Sequence, residues 1–184
     1  MWMLVGGVLL WSGAHLFKRL LPTQRAALGS VGQLVVTLLL VASLVLMVIG
    51  YRSSDSATIW VLNSNYYWAV APLLSLPFYL FAADICKSKL LLVVPHPQLT
   101  AVIIWAVGHL LINGDVASVV LFGGLLAWAV VQLLLIVRQE AAPDKSRVGN
   151  GYSVEAAALA LGVVLYLGAG WAHGYLGYPV LAWG

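Results

Sequence analysis

Eight of the nine Lys and Arg residues in this chain occupy alternate gaps between long apolar runs. Lys18, Arg19, Arg25, Lys87, Lys89, Arg138, Lys145 and Arg147 follow the alternation, and only Arg52 departs from it. Charged residues make up 8% of the chain and hydrophobic residues 62%, with a mean hydropathy of +0.99. A water-facing surface cannot be assembled from that composition. The runs must face lipid, and the cations then mark the cytoplasmic gaps.

Six runs are long enough to be spans: Trp2 to Leu21, Val31 to Tyr51, Tyr66 to Ala83, Leu90 to Ile112, Val116 to Val137 and Val154 to His173. Each is close to the ~20 residues that cross a ~30 Å hydrocarbon layer at 1.5 Å per residue. Bare backbone polar groups are not tolerated in lipid, so the runs should be helical, and the alternating segments of a β-barrel are missing. The expected fold is therefore all-α, a polytopic transmembrane bundle of about six spans. It is expected to form a single domain over residues 1–184 of the bacterial inner membrane.

The positive-inside rule places both termini in the periplasm. Trp60, Tyr66, Tyr67, Trp68, Trp171, Tyr175, Tyr178 and Trp183 crowd the same outer interface. The first run carries its cations after the apolar stretch, the reverse of a signal peptide, so it is expected to remain as a helix. The net charge of +3 is thus an orientation signal, and no basic stripe interleaved with aromatics supports nucleic-acid binding. The expected surroundings are the bilayer, with a membrane-protein partner or a second copy as further contacts. Cys86, the single cysteine, should be a free thiol.

Turn signals fit these boundaries. Pro22 follows the first run, Gly29-Ser30 precedes the second, and Pro95 and Pro97 flank His96 at the fourth. Asn113-Gly114-Asp115 should turn tightly between the fourth and fifth, and Pro143 to Gly151 should loosen the last connection. Asp115 is expected to cap the fifth helix. Its competing role is to orient His109 across the turn together with Asn113. Glu155 falls in the first turn of the sixth helix, where the dipole favours a carboxylate. Asp55, Asp84, Glu140 and Asp144 look solvated. Gly123, Gly124, Ala127, Ala158 and Gly162 give small-residue faces that permit close helix approach. Trp11, Trp105 and Trp128 lie mid-span, where core packing competes with stacking on a flat cofactor.

His15, His96, His109 and His173 carry the chemistry, because ionisable groups in or beside a span point to a site. Each also has a plainer role, bonding a backbone carbonyl or a lipid headgroup. Neutral imidazoles on facing helices are the usual ligands of haem iron. Depth sorts them: His15 and His96 belong near the cytoplasmic face. His109, about twelve residues past Pro97 and roughly 18 Å further along, belongs near the outer face with His173. Depth therefore pairs His15 with His96, or His109 with His173. Covalent haem attachment through Cys-x-x-Cys-His is not available, so any haem would be b-type. Lys18 and Arg19 are candidate partners for its propionates. Phosphate loops, His-Glu-x-x-His, Cys-x-x-Cys pairs, helically spaced carboxylate pairs and a nucleophile elbow are all missing from the sequence.

The order of the motifs resembles a known family. "GAHLFKRL" from Gly13, "VIGYR" from Val48, "HPQL" from His96, "WAVGHLLINGDVASVVLFGGLLAWA" from Trp105 and "HGYLGYPV" from His173 together look like the NnrU family along nearly the whole chain. The Gly-His-Leu-Leu…Asn-Gly-Asp…Leu-Phe-Gly-Gly stretch is the most specific part. The resemblance implies a link to denitrification and nitric-oxide metabolism. Through the related zeta-carotene isomerases it also implies a haem b held by histidine and isomerase-like redox chemistry. By motif, the iron ligands would be His15 and His109, with His96 as a further cofactor-binding histidine. Release of one ligand on reduction would open the iron to a polyene double bond or to nitric oxide. The competing reading is a non-catalytic subunit or assembly factor of a larger membrane complex.

Overall fold

The computed structural model describes residues 1–63, 66–139, 148–149 and 151–178. Glu140, Asp144, Lys145, Arg147 and Trp183, and most of the Pro143 to Gly151 connection, lie outside the described residues. The chain is all-helical, with α1 (Trp2–Leu20), α2 (Pro22–Ala27), α3 (Val31–Arg52), α4 (Tyr67–Cys86), α5 (Pro97–Ile112), α6 (Val116–Gln139) and α7 (Tyr152–Tyr175). Among the described residues there is no strand, only an isolated bridge between Thr58 and Asp115. Four helices, α3, α4 from Trp68, α6 and α7, are long and apolar enough to cross a membrane.

The boundaries follow local chemistry. α1 ends on Lys18 and Arg19, cations that complement the negative end of the helix dipole, and Pro22 opens α2 at a position where its missing N–H costs nothing. α4 tolerates Pro72 and Pro77, and the Ser75 hydroxyl donates to the Pro72 carbonyl at 2.7 Å. The run expected as one span from Leu90 to Ile112 is instead broken. A 3-10 turn covers Lys89–Leu92, and α5 begins only at Pro97 and runs for 16 residues. Pro95 and Pro97 lack amide hydrogens and bias their preceding residues away from helix, so helix starts where Pro97 can serve as its first residue.

The chain forms two compact units, Met1–Tyr67 with Ala106–Ala141, and Trp68–Trp105 with Ala142–Gly184. In the first, α1 and α3 run antiparallel: Leu4 meets Gly50, and Gly7 meets Ser43 and Met47. A Cβ on Gly7 would lie 2.8 Å from the Met47 amide nitrogen, so the small residue permits the approach. α6 runs parallel to α1, with Gly124 against Val8. Gly123 has nothing within 4 Å of its Cβ position, so only Gly124 of that pair serves packing.

In the second unit, Gly162 of α7 lies against the Tyr79 backbone, and Phe78 meets Tyr166 edge-on at 5.7 Å. Glu155 ties the start of α7 to the 3-10 turn, accepting from the Ser88 hydroxyl at 2.6 Å and the Lys89 amide at 2.8 Å. Asp84 accepts from Gln98 at 2.7 Å and pairs with Lys87 at 3.2 Å, both at the surface. The end of α4 is thereby tied to the first turn of α5. Cys86 is a free thiol.

Candidate functional site

The first unit brings His15 among aromatic side chains. Trp11 and His15 are one turn apart on α1 and share a face, as do Trp128 and Gln132 on α6. The His15 ring centre lies 4.3 Å from that of Trp11 and 4.6 Å from that of Trp128, and the two indoles meet edge-on at 5.5 Å. His15 Nδ1 is 3.0 Å from the Trp11 carbonyl oxygen. A carbonyl only accepts, so Nδ1 donates and, in the neutral ring, Nε2 keeps its lone pair. The indole N–H groups of Trp11 and Trp128, and the amide oxygen of Gln132 one turn along α6 from Trp128, are buried with no hydrogen-bond partner among the described residues. Trp128 is only 6% exposed. Buried polar groups are normally satisfied, and here the two indoles whose N–H groups lack such partners both flank the His15 ring.

His109 sits in the last turn of α5 and stacks on Phe122, with ring centres 4.5 Å apart and planes 28° apart. Phe122 lies within a π-helical turn, Val119–Gly123, of a kind often found at functional sites. Tyr51, from the end of α3, approaches Phe122 edge-on at 6.4 Å. Asn113 holds the turn after α5, its side chain donating to the His109 backbone carbonyl at 3.1 Å.

Asp115 caps α6 as its sequence suggests, accepting from the Ser118 amide at 2.9 Å. Its other bonds come from the hydroxyls of Ser118 (2.6 Å) and Ser56 (2.9 Å), and Tyr51 shares a hydrogen bond of 2.9 Å with the buried Ser118 hydroxyl. Both carboxylate oxygens are thus engaged by serines. The loop after α3 docks here too: the Ile59 and Trp60 amides donate to the Gly114 carbonyl, and Trp60 Nε1 donates to Leu110 O. A Cβ on Gly114 would overlap the Trp60 carbonyl oxygen, so glycine is required there.

Burial disfavours the Asp115 charge, but the bonds from Ser118 and Ser56 outweigh it and hold the carboxyl below its ordinary value. A lowered folded-state value means stability present above the unfolded value and lost as pH falls through the folded one. Asp115→Ala should cost about 1–2 kcal/mol through the lost cap. Acidification below the ordinary Asp value of about 3.9 should destabilise the native chain more than Asp115→Asn. Thermal unfolding followed by circular dichroism at neutral and acid pH reads both effects.

His96 and His173 belong to the second unit. His96 immediately precedes α5, and its carbonyl accepts from the Thr100 amide and hydroxyl. His173 Nδ1 donates to the Ala169 carbonyl at 2.8 Å, the plainer role considered for it. His15 and His109 both fall in the first unit.

A b-type haem asks for an imidazole with a bare nitrogen, flat apolar walls and partners for its polar edge. His15 offers the first, Trp11 and Trp128 the second, and the unpartnered indole N–H groups the third, so this donor set fits the group. His109 meets α6 at Phe122 and His15 meets it at Trp128, levels about 9 Å apart at helical rise. Two imidazoles on one iron need their nitrogens about 4 Å apart, with metal–nitrogen distances near 2 Å. Among the described residues no group of three or more His, Cys, Asp or Glu could hold a metal ion.

Sequence reasoning singled out His15, Trp11 and Trp128 separately but not their convergence, and it missed Gln132, Ser56, Ser118 and Tyr51. The four-residue spacings Trp11–His15 and Trp128–Gln132 were the available signal.

No curated protein and no solved structure matches the chain. One family does: the sequence model described as NnrU protein matches residues 3–180. With that match over nearly all of a helical, strongly apolar chain, the protein belongs to the NnrU family.

Proposed function

We propose that this protein is a six-crossing inner-membrane protein with both termini in the periplasm, holding one b-type haem at His15. Its iron chemistry would serve nitric-oxide-linked or isomerase-like redox metabolism. The observation that carries the reading is the His15 cluster: an imidazole fixed through Nδ1 by Trp11 O and walled by two indoles whose buried N–H groups have no hydrogen-bond partner among the described residues. The six-crossing topology is supported by helix direction. α1 and α6 run parallel and α3 opposes them, as crossings one, five and two must. α1 and α5 complete the count, α5 with help from the residues that precede it.

When bound, the iron would supply a redox-switchable site for nitric oxide or a polyene double bond. The chain's own contributions are separable from that chemistry. Trp11 and Trp128 cover part of the His15 ring, and the Trp11 carbonyl fixes its tautomer and orientation. His109, stacked on Phe122, meets the same helix about 9 Å away and would have to move toward His15 to serve as a second ligand.

The absorption spectrum of detergent-purified protein tests this directly. A Soret band with a b-type pyridine haemochrome is expected from haem-replete cells. A colourless preparation overturns the proposal.

A further inference from the structure

The α1–α3 pair is closed at one end and open at the other. Leu4–Gly50 and Gly7–Met47 bring the helices into contact near the chain's start. Toward the connection, Leu28 just after α2 lines the space beside both helices, and Gly13 has nothing within 4 Å of its Cβ position. The result is a groove of about 370 Å³ lined only by apolar residues, among them Leu9, Gly13, Phe17, Leu28, Val36 and Leu39. That volume lies at the low end of the roughly 300–1,000 Å³ typical of small-molecule sites.

Cations crowd the groove's connection end. Lys18 follows the lining residue Phe17 and is exposed, with Arg19 next to it. Arg25 lies on α2 three residues before the lining residue Leu28, half-buried, with its guanidinium 3.5 Å from the Gly29 carbonyl. No Asp or Glu occurs before Asp55, so α1, α2 and α3 supply no carboxylate to Lys18 or Arg25. An apolar slot opening beside clustered cations matches one molecule: a hydrocarbon chain carrying an anionic head. We propose that the groove is a binding site for an anionic phospholipid, one acyl chain lying between α1 and α3 and its phosphate held by Lys18 and Arg25. The site rests on the membrane reading and is independent of haem.

Native mass spectrometry of the full chain in detergent tests it, with phosphatidylglycerol and phosphatidylcholine of matched chains added in equal amounts. The native chain should retain phosphatidylglycerol roughly tenfold more than phosphatidylcholine, since each basic residue near the membrane surface adds measurably to anionic-lipid attraction. Lys18→Gln with Arg25→Gln should bring the ratio close to one. Gly13→Leu, whose Cβ meets nothing within 4 Å and whose side chain adds bulk to the groove lining, should lower retention of both lipids. Lys18→Gln alone, at an exposed position, should reduce the preference even if the double variant does not fold. Equal retention by the native chain, an unchanged ratio in the charge variants, undiminished binding to Gly13→Leu, or a second copy in place of lipid adducts would each overturn the site.

Discussion

Alanine at His15 should bleach the protein, whereas alanine at His109 should leave it coloured but spectrally altered. The asymmetry follows from how each ring is held. His15 has its Nδ1 tied to Trp11 O, so its Nε2 is committed to one direction between two indoles. Removing the ring removes the oriented donor and leaves a hole in the aromatic cluster. The loss should exceed the roughly 10–100-fold fall in metal affinity that follows removal of an outer-shell partner alone. His109 stacks on Phe122, about 9 Å away along α6 at helical rise, so its loss should shift the spectrum without removing the pigment. Trp11→Phe keeps the ring and the backbone carbonyl but deletes one orphan N–H, and should shift the Soret band without abolishing it. Visible spectra of the purified variants at matched protein concentration give the answer. If His15→Ala remains fully coloured, His15 is not the ligand. If only His109→Ala bleaches, the roles are reversed.

How far the site can be read from the sequence depends on what distinguishes one helix face from another. The alternating cations and the length of the apolar runs reveal that helices form and roughly where they end. Asp115 announces its capping role through position alone, and Gly162 announces a close approach. The split at Pro95 and Pro97 was also signalled, but the apolar residues on both sides suggested a single crossing. The azimuth of each helix is not legible in the same way. In a soluble helix the polar face shows which side is buried. Here the lipid-facing and packed sides are both apolar, so nothing in α1 says that Trp11 and His15 turn toward Trp128 rather than outward. The docking of the Ser53–Trp60 loop on Gly114 left only a trace, a glycine between Asn113 and Asp115, because its bonds run through backbone groups that every residue carries.

Gly50→Ala tests whether the α1–α3 contact underlies this arrangement, and Gly6→Ala is its internal control. Both changes add one methyl group to a glycine inside a helix, and in isolation both should favour helix by about 1 kcal/mol. Their surroundings differ completely. Nothing lies within 4 Å of a Cβ at Gly6, whereas at Gly50 it would overlap the Leu4 amide nitrogen and come within 2.8 Å of the Leu4 Cα. Those are backbone atoms of a fully buried residue, so no side-chain rotation relieves the clash and α1 must move away from α3. Overpacking of this kind costs about 1–3 kcal/mol. At roughly 2–4 °C per kcal/mol for a chain of this size, the melting temperature of Gly50→Ala should fall by several degrees while Gly6→Ala stays level or rises. The displacement would not remain local. α1 is one rod from Leu4 through Val8, which touches Gly124, to Trp11 and His15, so a shift at Leu4 moves the imidazole against Trp128. Gly50→Ala should therefore change the pigment spectrum as well as the melting temperature, although Gly50 is far along the helix pair from His15. A destabilised variant with an unaltered spectrum would show that α1 flexes between the two contacts.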